Sequence, residues 1–135
     1  FPVEIHVPPQ IADALTMQGK PVPVPIAGAA IIDTGATLTC VHEPLLQQLG
    51  LNPIGVITSG TANGPVQCSV YPGRLAFPST GWTLDLHGVV GVNLSGQTIP
   101  TNPPQSMVAL LGRNFLEHFV LIWNGPGGFW TLAGR

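Results

Sequence analysis

The apolar runs of this chain are short, and each is cut off by proline or glycine; that punctuation limits the fold more than any other feature. Val3, Ile5 and Val7 alternate with Glu4 and His6, as in a half-buried strand, and the run stops at Pro8-Pro9. Ala29 to Ile32 stops at Asp33-Thr34-Gly35, and Val108 to Leu111 stops at Gly112. Val120 to Trp123 and Phe129 to Leu132 flank Asn124-Gly125-Pro126-Gly127-Gly128, the pattern of a hairpin. With 17 Gly and 15 Pro in 135 residues, the chain is built for many short strands joined by turns, not for long helices. The expected architecture is mostly β, with one or two short helices, in one domain spanning residues 1–135. A domain of that size buries about two-thirds of the surface of its unfolded chain.

The remaining segments fill in this outline. Ile11 to Ile26 reads as a hairpin turning at Gln18-Gly19-Lys20, with Pro21, Pro23 and Pro25 marking an exposed edge. Glu43 to Leu49 reads as a short helix with His42 as N-cap, Pro44 in the first turn and Gly50 closing it. Its Leu45, Leu46 and Leu49 share one face. Val56 to Thr58 and Val66 to Val70 are strand-like around Ser59-Gly60-Thr61-Ala62-Asn63-Gly64, a tight and mobile turn. Trp82 to Leu86 and Gly88 to Val92 are expected as two strands. Asn93 to Ser106, with Pro100, Pro103 and Pro104, is expected to be a long loop, and Phe115 to Phe119 a helical turn or two.

Among three aspartates, Asp33 alone follows an apolar strand and precedes a sharp Thr34-Gly35 turn. Such a strand drives a carboxylate into an apolar setting, where ionisation is costly without a hydrogen bond or a partner. The tripeptide alone is weak evidence, because Asp-x-x-Gly is also ordinary turn chemistry. A second stretch strengthens it: Leu110-Leu111-Gly112-Arg113-Asn114-Phe115-Leu116 is an apolar strand ending in glycine and entering a short amphipathic segment.

Together, Asp33-Thr34-Gly35-Ala36 after its strand and the later Leu111-Gly112-Arg113 segment resemble the retroviral-type aspartic proteases, the retropepsins, and their cellular and bacterial relatives. The resemblance covers most of the chain, including the helix closed by Gly50-Leu51. It implies a closed β-barrel or sandwich with a flap hairpin, and a homodimer that shares one active site. Asp33 would be the catalytic group, one from each copy, since the chain has no second Asp-Thr-Gly or Asp-Ser-Gly. Thr34 would hydrogen-bond across the dimer axis, and Gly35 and Ala36 would complete the catalytic loop. Ser59, Gly60, Thr61, Ala62, Asn63 and Gly64 would form the flap, closing on an extended peptide through backbone amides. Neither a metal nor a cofactor is implied. Peptides with apolar residues at the scissile bond are the implied substrates.

Two features set this chain apart. Retroviral enzymes carry an acidic residue after Asp-Thr-Gly-Ala, which pairs with the arginine of the second signature; here Thr37 stands there. Arg113 is therefore expected to turn to Glu117, Asp85, Glu43 or backbone carbonyls. Ala36 has no hydroxyl to donate to the carboxylate, unlike the Ser or Thr usual in two-lobed pepsins, which places the expected pH optimum at roughly 4 to 6.5.

Composition excludes other classes. Four Lys and Arg and a net charge of −2 leave no basic footprint for nucleic acid. The apolar stretches are too short to span a bilayer as a helix. His6, His42, His87 and His118 lack metal-ligand spacing, and Cys40 and Cys68 read as free, partly buried thiols. Phe1 opens no signal-peptide pattern, so the chain is expected to be a mature product or an excised domain. Two alternatives stay open: a retropepsin-like module that binds peptides or dimerises without catalysis, and a phosphotransferase with an aspartate nucleophile. The second would need a parallel α/β sheet with several long helices.

Overall fold

A computed structural model describes residues 1–134. In chain order the elements are β1 (Pro2–His6), α1 (Pro9–Met17), β2 (Ile26–Ile32), β3 (Cys40–His42), α2 (Glu43–Gln48), β4 (Gly55–Thr61) and β5 (Gly64–Phe77). They continue with β6 (Trp82–Val92), β7 (Thr98–Ile99), β8 (Gln105–Leu111), α3 (Arg113–Leu116), β9 (Phe119–Asn124) and β10 (Phe129–Gly134).

Six strands close into a barrel in the order β1-β2-β8-β3-β6-β5, and β5 returns to β1 through Glu4↔Ala76, Ile5↔Leu75 and His6↔Arg74. Closure removes the free edges that a sheet of such short strands would otherwise expose. β4 extends the sheet beyond β5, while β9 and β10 form a separate two-stranded ribbon. Alternate residues point inward: Val3 and Ile5 from β1, Tyr71, Leu75 and Phe77 from β5, and Val89 from β6 are all buried. Leu46 of α2 and Phe115 of α3 plug the barrel and are fully enclosed. Each such side chain contributes about 1.5–3 kcal/mol by leaving water. An aromatic chain of Phe1, Phe77, Phe115, Phe119 and Trp82, with centroids 4.7–5.3 Å apart, ties the barrel to the foot of β9.

The mostly β reading and the closed barrel hold; several element assignments do not. The expected hairpin over Ile11–Ile26 is a helix, α1, followed by an exposed irregular stretch through Pro25. Pro9 occupies the first turn, where its missing N–H costs nothing. Ile11, Ala12 and Leu15 lie half-buried at helical spacing. Gly19, at φ 69°, ends the helix with its amide on the Thr16 carbonyl and that of Lys20 on the Leu15 carbonyl. The two strands expected over Trp82–Val92 are one continuous strand with a register irregularity inside it: Tyr71 pairs with Val89 and Gly73 with Leu86, so β6 carries the extra residue at His87-Gly88. The long loop after Asn93 contains β7, which pairs with the start of β8. His42 is the N-cap residue of α2, as expected, but its side chain makes no capping hydrogen bond; its Nδ1 accepts the amide of Leu94 at 3.1 Å. Among the described residues, no helix is long and apolar enough to cross a membrane.

Candidate active site

Asp33 begins the turn after β2, and almost every polar group around it is tied to the segment after β8. β2 and β8 run parallel, with Ile32 opposite Leu111, so both chains leave the sheet side by side. The Asp33 amide donates to the Leu111 carbonyl at 2.9 Å, and the Arg113 amide to the Ala36 carbonyl at 2.9 Å. The Arg113 guanidinium donates to the Thr34 carbonyl at 3.0 Å and to Thr37 Oγ1 at 2.9 Å. Arg113 thus answers the missing acid with a hydroxyl and a carbonyl. Of the acids expected as substitutes, Asp85 instead pairs with Arg74 and Glu43 accepts from Tyr71.

A second layer holds the first. Thr39 is fully buried; its hydroxyl donates to Asn114 Oδ1 at 2.8 Å and accepts the Gly112 amide at 3.1 Å. Asn114 Oδ1 also takes the Thr39 amide at 2.7 Å, and its Nδ2 donates to the Gly88 carbonyl of β6. Gly112 is required here, since a Cβ at that position would lie 2.6 Å from the Leu38 carbonyl group. Thr39 and Asn114 have no assigned role in the sequence reading. Their signal there was faint: a threonine inside an apolar run, and an asparagine just after Gly-Arg.

Within the turn, the Gly35 amide donates to Asp33 Oδ1 at 3.0 Å, and the Ala36 amide to the Asp33 carbonyl at 3.2 Å. The carboxylate is only half-buried in the single chain, not enclosed as the apolar strand before it suggests. The strand ends at Ile32, and the turn carries Asp33 out to the barrel rim, where it faces an open groove of about 550 Å³. Ala36, Leu38 and Val90 line the floor, and Ile57, Ser59 and Gly60 of β4 form the opposite wall.

The β4–β5 hairpin is more regular than expected. Pairing runs through Ser59↔Val66 and Gly60↔Pro65 to Thr61↔Gly64, leaving Ala62 and Asn63 alone in the turn. Thr61 Oγ1 closes it by donating to the Gly64 carbonyl at 2.6 Å. Ser59 and Gly60 therefore share the groove of Asp33, while Thr61 to Gly64 form the projecting end and do not line it. Cys40 also borders the groove, and its thiol is free, as is that of Cys68. Burial, then the nearby Asp33 and Cys68, pushes the Cys40 thiol above its ordinary value, which keeps it protonated. Among the described residues, no three His, Cys, Asp or Glu side chains gather as a metal site.

A carboxylate on a rigid Thr-Gly turn, buttressed by Gly112-Arg113-Asn114 at the rim of a six-stranded barrel, agrees with a comparison against known families. The family described as "gag-polyprotein putative aspartyl protease" matches residues 15–118. The chain belongs to this aspartyl protease family. The matched span begins within α1 and ends just after α3, so it contains the Asp33 turn, the overhanging hairpin and the Gly112 segment. No curated protein and no solved structure gives a significant match. For the gag-type aspartyl protease fold, the closed barrel also sets aside the phosphotransferase alternative, which needs a parallel sheet flanked by long helices.

Proposed function

We propose that the chain is an aspartic endopeptidase that works as a homodimer, in which the Asp33 carboxylates of two copies activate one water. One observation carries this reading: Asp33 is the one carboxylate among the described residues that line the groove beside the β4–β5 hairpin. Two carboxylates held close together share a proton, because both cannot ionise cheaply. The charged member takes a proton from water as it attacks the peptide carbonyl; the protonated member polarises that carbonyl and then protonates the leaving amine. Thr34, Gly35 and Ala36 shape the turn, and Arg113 fixes it through Thr34 and Thr37.

The molecular surface supports the second copy. Val120, Ile122 and Trp123 of β9 and Phe129 and Trp130 of β10 are exposed, and so is Ile31 of β2. An apolar hollow lined by Ile31, Thr34, Leu121, Trp123 and Trp130 carries this surface up to the residue next to Asp33. Apolar area of that extent on a chain of this size marks an interaction face. A two-fold partner seated there brings its own Asp33 toward the first.

The hairpin from Ser59 to Gly64 acts as the flap, reading an extended peptide through its backbone as strands do. Leu38, Ile57, Val90 and Ala36 offer apolar walls, so the residues flanking the scissile bond are apolar or aromatic. The test is digestion of a peptide library by the purified chain, by Asp33→Asn and in the presence of a statine-type inhibitor, across pH. Cleavage between apolar residues, with an optimum at roughly pH 4 to 6.5 and abolished by Asp33→Asn, is the expected result. Near-normal turnover by a folded Asp33→Asn protein would refute the reading.

A further inference from the structure

Beside the groove that holds Asp33 lies a second, of about 530 Å³, between the underside of the β4–β5 hairpin and the start of α2. Ser59 borders both. Each mixes polar and apolar walls. The first has Leu38, Ile57 and Val90 with Thr37, Thr58 and Ser59; the second has Pro44, Val66 and Val92 with Thr61, Gln67, Asn93 and Ser95, and among its described lining residues Glu43 alone is charged.

Glu43 is held in place on one side only. Its Oε2 accepts the phenol of the fully buried Tyr71 at 3.1 Å, and Gly91 leaves room for it, since a Cβ there would meet that oxygen at 2.6 Å. No hydrogen bond among the described residues engages Oε1. Among the described residues, no cation pairs with the carboxylate either. Arg74 forks onto Asp85, Arg113 is committed to Thr34 and Thr37, and Lys20 follows α1 without an ion pair among the described residues. The neighbouring His42 accepts the Leu94 amide at Nδ1 and makes no ion pair with Glu43 among the described residues.

We propose that Glu43 is a specificity-determining residue, the acid of an outer subsite that selects a Lys or Arg side chain in the peptide, at a position removed from the apolar residues of the scissile bond. This rests on the endopeptidase reading above and adds a second requirement to it. An extended peptide lying in the groove sends alternate side chains to one side. One that passes Ser59 enters a chamber of mixed lining, with apolar surface for an aliphatic stem and, among the described residues, one charged group, the Glu43 carboxylate. A two-fold dimer has two such chambers, so the preference falls on both sides of the cleaved bond. Salt weakens it, because the site is open to water.

The experiment scans Lys, and its neutral isostere norleucine, through every position of a peptide that the wild type cleaves. It measures kcat/KM for wild type and Glu43→Gln, and equilibrium binding to Asp33→Asn and to Asp33→Asn/Glu43→Gln. Glutamine keeps an oxygen for Tyr71, so the fold is preserved. The expected result is a preference of about three- to fivefold for Lys over norleucine at one outer position on each side of the scissile bond, shrinking in high salt and lost with Glu43→Gln. Cleavage of the all-neutral peptide stays unchanged in that variant. Cleavage with no Lys preference at any outer position, or a preference that survives Glu43→Gln, would overturn the subsite and leave the protease standing. A Lys preference seen in binding and lost with Glu43→Gln, in a chain that cleaves nothing, would sustain the subsite and sink the protease.

Discussion

Thr39 carries three hydrogen bonds that join the Asp33 loop to the segment after β8, and it does so from complete burial. Thr39→Val keeps the shape and removes the hydroxyl, leaving the Gly112 amide without its acceptor and Asn114 short of a donor. Loss of about 1–3 kcal/mol in stability is expected, read by denaturant unfolding of an Asp33→Asn background that cannot digest itself. Peptide cleavage falls as well, because the loop that carries Asp33 loses its anchor. Gly112→Ala meets a harder obstacle, the backbone of Leu38 rather than a side chain that can turn aside. It is expected to cost about 1–3 kcal/mol or more on the same assay. The Asp33 turn was legible in the sequence because strand, carboxylate and glycine are neighbours in the chain. The Thr39–Asn114 pair was not, because its members lie 75 residues apart and the antiparallel pairing of β3 with β8 brings them together.

At the level of elements, β5 and β6 are joined by a forked ion pair, with Arg74 Nε and Nη2 on the two oxygens of Asp85 at 2.7 and 2.9 Å. The Arg74 hydrogen bond holds the Asp85 carboxyl below the usual aspartate range, against a smaller opposing effect of burial. A lowered folded value means stabilisation that is present above the unfolded value and lost as pH falls through the folded one. The Asp85 carboxylate is 54% exposed, so the effect is screened and modest, about 0.2–1 kcal/mol. Comparing wild type with Asp85→Asn by denaturant unfolding is expected to show that difference near pH 6 and its disappearance below about pH 3. Element boundaries were legible wherever a run met its punctuation, as at β8 and Gly112 or at β9 and β10. The prolines misled at α1, where Pro9 starts a helix and Pro21 to Pro25 follow one, so neither set marks a strand edge. They misled again after Asn93, where a two-residue strand is too short to show periodicity.

For the whole molecule, closing β5 on β1 seals one core and leaves two faces unfinished: the open rim at Asp33 and the apolar ribbon of β9 and β10. Strand pairing over such distances is invisible to local pattern, so barrel closure came from the resemblance and not from periodicity. The proposed dimer completes both faces at once, and it makes a quantitative demand, because every working site needs an Asp33 from each of two chains. Mixing wild type with Asp33→Asn chains at fixed wild-type concentration tests this most directly, with the mass followed by sedimentation. The account predicts a two-chain mass and, with equal amounts of the two chains exchanged to equilibrium, activity reduced to about half that of the same wild-type chains without the variant. Activity should fall further as the variant is raised. Activity that tracks wild-type chains alone, undiminished by any excess of Asp33→Asn protein, would contradict it.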